Sequence, residues 1–84
     1  MREVVWQTDA LKELLAIARA DARQAMRIFD ALVRSEGTGD ADIRALKGQP
    51  GEYRIRVGDW RVLLRVDGDR GVVTRVVMRR DAYD

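Results

Sequence analysis

Apolar residues recur at two different spacings along this chain, and the change of spacing divides it. Val4, Val5 and Trp6 sit in a short run from Arg2 to Gln7 that predicts a strand. Leu11, Leu14, Leu15 and Ala18 then recur at helical spacing, with Thr8 as the N-cap and Asp9 in the first turn. Asp21 predicts a second N-cap, with Gln24 three residues later as in a capping box. Ala22, Ala25, Met26, Phe29, Leu32 and Val33 form the apolar stripe of a second helix, which Gly37 and Gly39 should end near Glu36. So short a link between the two helices predicts a tight helical hairpin.

Beyond the hairpin, Thr38 to Gly51 is a connector in which Asp40–Leu46 predicts a helical turn and Pro50-Gly51 a stop. The period then drops to two. Strands are expected at 52–57, 60–66 and 72–79. Gly58-Asp59 signals a two-residue hairpin of the Gly-first type, and Asp67 to Gly71 a looser turn. Strands joined this closely must pair antiparallel. The order is β-α-α-β-β-β. It predicts an α+β fold in which a two-helix hairpin packs on one face of a small, mainly antiparallel four-stranded sheet.

The alternation also sorts the charge. Tyr53, Ile55 and Val57 share one face of their strand with Trp60, Val62, Leu64 and Val66 of the next, and Arg54, Arg56, Arg61 and Arg65 share the other. One face of the sheet should be buried by the helices. The other should carry guanidinium groups, which suit a polyanion such as a phosphodiester backbone. The net charge of +2 hides this asymmetry. Residues 1–43 sum to −2 and residues 44–84 to +4. Fourteen of the 16 basic residues are arginine, which a GC-rich genome would also favour, so their placement is more informative than their number.

Composition narrows the chemistry. A chain of 84 residues forms one domain, residues 1–84, and buries about 60–65% of the surface its unfolded form exposes. It has no cysteine and no histidine. Disulfide staples and thiolate zinc sites are therefore excluded, as is the usual neutral-pH general base. No apolar run approaches the ~20 residues of a membrane span and no signal-peptide pattern opens the chain, so a cytoplasmic protein is expected.

Three stretches resemble one family. They are Leu46-Lys47-Gly48, the run from Tyr53 to Val62 (YRIRVGDWRV), and the ending Arg79-Arg80-Asp81-Ala82-Tyr83. Together with the element order they resemble the RelE/ParE superfamily, the toxins of bacterial type II toxin–antitoxin pairs. RelE-like members are ribosome-dependent mRNA endonucleases, and ParE-like members poison DNA gyrase. The resemblance implies a phosphate site made of Arg54, Arg56, Arg61, Arg79, Arg80 and Tyr83, with Lys47 a further contact to RNA. It implies metal-free attack of a ribose 2′-hydroxyl on the adjacent phosphate, with no cofactor. The expected partners are a cognate antitoxin, the ribosome and mRNA, with gyrase as the alternative target; a degenerate member that only binds its antitoxin is the remaining alternative. Two departures stand out. Val77-Met78 replaces the histidine, preceded by glycine, that family members often carry before the paired arginines, and arginine replaces lysine on the second strand. Glu52, Asp59 and Asp81 are the nearby carboxylates, and the pattern singles out none of them as a base. On this reading Arg61 is exposed, and its loss should change stability by less than about 1 kcal/mol.

Overall fold

A computed structural model describes residues 2–36 and 42–81. The chain runs β1 (Glu3–Trp6), α1 (Thr8–Ala20), α2 (Ala22–Ser35), β2 (Ile43–Ala45), β3 (Glu52–Val57), β4 (Trp60–Asp67) and β5 (Arg70–Met78), and ends in a 3₁₀ turn at Arg79–Asp81. The five strands form one sheet in the order β1-β5-β4-β3-β2. β1 is parallel to β5, and the other pairs are antiparallel.

The α+β class and the helical hairpin are as expected, but the sheet has five strands rather than four. The segment expected to make a helical turn contains β2, whose Ile43, Arg44 and Ala45 pair with Ile55, Arg54 and Tyr53. The i,i+3 spacing of Ile43 and Leu46 mimics a helix. Pairing with the free margin of β3 satisfies backbone groups that a single turn would leave open. Residues 37–41 of the connector lie outside the described residues. Gly68-Asp69 makes a two-residue turn, with Gly68 at φ +61°, in place of the looser loop. Arg79 belongs to the 3₁₀ turn rather than to the last strand.

The link between the helices follows the sequence closely. Asp21 separates them, and its Oδ1 accepts from the Gln24 N–H at 3.1 Å. At the start of α1 the cap position falls on Gln7, which makes no side-chain capping bond, and Thr8 is already helical.

α1 lies over β5 and α2 over β3. Ile55, Val62 and Val76 align across three strands beneath them, as do Tyr53, Leu64 and Val73. Ala10, Ile17, Ala25, Ile28, Ala31 and Leu32 complete this core. Of the stripe expected on α2, Ala25 and Leu32 are buried, but Ala22, Met26, Phe29 and Val33 are not. Ile28 is fully buried, whereas Met26, Phe29 and Val33 are 64%, 47% and 47% exposed. At 3.6 residues per turn, consecutive positions differ by about 100°. Ala25–Ile28–Leu32–Ser35 and Ala22–Met26–Phe29–Val33 are adjoining stripes, and only the first meets the sheet. Leu11 and Leu15 of α1 are exposed in the same way. The hairpin therefore carries apolar surface on its outer side.

Side chains of the helical hairpin complete one margin of the sheet. β1 stops at Trp6, opposite Val73, so the rest of β5 has no strand on that side. There Glu13 Oε1 accepts the Val76 N–H at 2.8 Å, and Glu13 Oε2 accepts Nε and Nη2 of Arg75 at 2.9 and 2.8 Å. The hydrogen bonds and charge of Glu13 raise the pKa of Arg75 above its ordinary value. Arg75 is thus salt-bridged, one of the two ordinary fates open to a basic residue on a sheet. Glu36 Oε2 accepts the Val4 N–H at 3.0 Å on the outer side of β1.

Candidate nucleic-acid interface

The register places Arg44, Arg54, Arg56 and Arg61 on the face away from the helices. Arg44 stands opposite Arg54, and Arg56 opposite Arg61, on strands whose alternate residues face the core. The turn between β3 and β4 has Gly58 at φ +57° followed by Asp59 with negative φ, which is the Gly-first hairpin the sequence predicts. It brings the two arginine-bearing strands to a common end. The Arg79 N–H donates to the Asp59 carbonyl at 2.7 Å and fixes the 3₁₀ turn beside the hairpin.

These elements enclose an open cleft of about 650 Å³ lined by Arg54, Arg56, Gly58, Asp59, Arg61 and Arg79. A second cleft of about 320 Å³ adjoins it, lined by Asp59, Met78, Arg79 and Arg80. Arg79 and Asp59 line both. Residues from β3, β4 and the C-terminal turn thus meet at one place.

The arginines are held differently. The Arg56 guanidinium is exposed, and its Nε lies 3.0 Å from Asp42 Oδ2, while Arg44 lies 3.4 Å from the other oxygen of the same carboxylate. Arg54 is half-buried. Arg79 and Arg80 are exposed and make no side-chain hydrogen bond or ion pair with the described residues. Arg61 corrects an expectation, because it is 6% exposed. Its Nη1 donates to the carbonyls of Gly58 and Trp60, both at 2.9 Å. Alternation gave its face correctly. It could not show that the side chain would lie along the sheet and close its own hairpin.

Not every expected residue reaches the clefts. Lys47 is exposed in the turn after β2, beyond the Ala45–Tyr53 pair. It lies at the opposite end of β3 from Gly58, about 20 Å away at 3.3 Å per residue. Tyr83 falls outside the described residues. Trp60 is half-buried against the core and, with Ala16, Ile17, Ala20, Asp21 and Gln24, lines a separate groove on the helix side. Two residues gain importance from the structure. Asp42 pairs with Arg56, which required β2 to be recognised. Asp59 enters the cleft wall, which the position of Gly58-Asp59 between Arg56 and Arg61 already encoded.

Comparison with known proteins agrees with this fold. The family model for the ParE toxin of type II toxin–antitoxin systems, parDE, matches residues 4–83, and the chain belongs to that family within the RelE/ParE superfamily. Toxin RelE3 of Methanocaldococcus jannaschii is 44% identical over 43 residues, which is 51% of this chain. The chain spans about half the length of that relative, 49%. Among solved structures, the YoeB/ParE toxin from Agrobacterium tumefaciens superposes with a TM-score of 0.77 at 25% identity, covering 90% of this chain and 96% of that one. The RelB–RelE antitoxin–toxin complex from Methanococcus jannaschii gives a TM-score of 0.66 at 26% identity, covering 90% and 91%.

Proposed function

We propose that this toxin cleaves messenger RNA positioned on a ribosome and so stops translation. The observation that carries this reading is the convergence of Arg54, Arg56, Arg61 and Arg79 on one cleft of the helix-free face. In the reaction, a ribose 2′-hydroxyl attacks the adjacent phosphate, leaving a 2′,3′-cyclic phosphate and a 5′-hydroxyl end. Negative charge grows on the phosphate oxygens as the bond forms. Planar, permanently protonated guanidinium groups stabilise that charge without reorganising. Arg79 and Arg80 bond to none of the described side chains and offer their donors at once. Arg56 is released from Asp42 when a phosphate competes for it, and Arg61 adds positive potential from the cleft floor. A ribosome supplies the alignment of the reacting atoms, which an open cleft on an 84-residue domain does not impose alone.

The family match favours a second reading, in which the toxin binds and poisons DNA gyrase. Val77-Met78, standing where a histidine is frequent, also suits it. One experiment separates the two. Primer extension on mRNA from cells expressing the toxin should show new 5′ ends within translated regions, with intact chromosomal DNA. Gyrase-linked DNA breaks with intact mRNA would establish the second reading instead.

The partner that restrains such a toxin is a co-expressed antitoxin, as in the RelB–RelE complex. The outward stripe of Leu11, Leu15, Met26, Phe29 and Val33 offers it apolar anchorage, and the arginine cleft offers it charge. The complex should accordingly form more slowly at high salt while dissociating at nearly the same rate, because rim charges govern encounter and buried apolar contacts govern release. Binding kinetics with the product of the adjacent small open reading frame measure this. A toxin that binds that product at neither salt would refute the pairing. The site of action for either target is the cytoplasm.

A further inference from the structure

Among the described residues Asp59 is the one carboxylate lining the cleft, together with four arginines and a glycine. It also lines the adjoining cleft, so with Arg79 it forms the wall between them. The Arg79 N–H bonded to its carbonyl at 2.7 Å fixes the backbone of that wall. The side chain is exposed and makes no hydrogen bond or ion pair with the described residues, although guanidinium groups stand on both sides. Asp42, by contrast, is occupied by Arg44 and Arg56. An acid at the Asp59 position weakens the attraction of the cleft for any polyanion. The turn does not require it, since Gly58 supplies the positive φ and asparagine or serine suits the next position as well.

We propose that Asp59 reads the ribose: its carboxylate accepts the hydrogen of the 2′-hydroxyl beside the phosphate held by the arginines, which selects RNA over DNA and takes the proton as cleavage begins. The 2′-hydroxyl is the group that distinguishes the two polymers at a given site. Guanidinium groups only donate, so a cleft lined by arginine alone would hold the phosphates of either polymer and could accept no proton. Asp59 supplies the missing acceptor next to the phosphate donors Arg79 and Arg80. In the cleavage step, the O2′–H proton passes to a carboxylate oxygen of Asp59. The freed O2′ pair forms the bond to phosphorus. The P–O5′ bond breaks, and its electron pair stays on O5′. Solvent water protonates O5′, and Asp59 returns its proton to the resulting hydroxide. The cleavage half rests on the nuclease reading given above. The recognition half requires only that the cleft bind nucleic acid.

The test measures binding and cleavage separately, on the full chain. Anisotropy titrations at one low salt concentration compare a short single-stranded RNA with the DNA of the same sequence. The wild type should prefer RNA by on the order of tenfold, the effect of one hydrogen bond to a charged acceptor. Asp59→Ala should abolish that preference while binding both polymers at least as tightly, because a like charge is gone. Asp59→Asn, which keeps an acceptor and suits the turn, should retain part of the preference. It should cut cleavage of ribosome-bound mRNA by about 10²-fold or more, the usual contribution of a general base. Equal binding of RNA and DNA by the wild type, or an RNA preference unchanged in Asp59→Ala, would overturn ribose recognition. Full cleavage by Asp59→Asn would overturn the proton transfer. Failure of the wild type to cleave mRNA would count against the nuclease reading alone, and the binding ratio would still decide whether Asp59 reads ribose.

Discussion

Alanine in place of Arg79 should lower RNA cleavage by about 10²–10³-fold, the loss typical of removing one preorganised donor to developing charge. The folded state should be stabilised to within about 0.5 kcal/mol of the wild type, as for other surface substitutions. Both halves follow from its placement. The side chain is exposed and bonds to no described residue, so folding loses little with it. The backbone N–H that ties the turn to Asp59 survives the substitution. Yet Arg79 lines both clefts, where a phosphate bound as proposed would meet donors from two directions. Single-turnover cleavage of ribosome-bound mRNA, beside a thermal melt, measures the pair of effects. Wild-type cleavage by Arg79→Ala would remove the C-terminal turn from the site.

Arg61→Ala should behave differently, losing about 2–4 kcal/mol of stability through two charge-assisted hydrogen bonds and buried packing. For a domain of this size that lowers the melting temperature on the order of 10–20 °C. The expectation drawn from alternation, a change below about 1 kcal/mol, treated Arg61 as exposed. At 6% exposure, with Nη1 2.9 Å from two carbonyls of its own hairpin, it holds the β3–β4 turn and thereby the shape of the cleft. Reduced activity of this variant is then a compound effect. Chemical denaturation, with cleavage measured at a temperature where the variant is folded, separates the parts. A melt indistinguishable from the wild type would show that the buried guanidinium contributes nothing to the turn.

The outline of this molecule was legible because its periodic signals are long and mutually consistent. Asp21 with Gln24 marked the break between the helices, and Gly58-Asp59 marked the hairpin. The alternation from Tyr53 to Val66 separated the arginine face from the core. Three features were hidden for physical reasons. β2 has three residues, too few to show a period of two, and its existence depends on the free margin of a strand that begins at Glu52, beyond a turn. On α2, two adjoining apolar stripes compete, and helical spacing alone does not say which one meets the sheet. Ile28 rather than Phe29 does so because of how the hairpin lies over β3. The burial of Arg61 depends on a rotamer that reaches back to the turn, which a face assignment does not encode. The grouping of Arg54, Arg56 and Arg61 could be read from alternation. The adjacency of Arg79 needed the full meander, which returns the end of β5 to the β3–β4 turn.

The carboxylates of Glu13 and Glu36 bear on how this sheet can grow. Each occupies an amide that would otherwise point out from the β5–β1 side, at Val76 and Val4. The other side ends in the three residues of β2, with Arg44 at its centre. An extended chain needs an uninterrupted row of open amides and carbonyls as a template before it can zip on, and long open edges are where β proteins polymerise. Here one side is already plugged and the other is too short to hold more than a few rungs. A molecule with greasy helices on one side and a cationic cleft on the other can thus associate through those surfaces without seeding a fibre through its sheet.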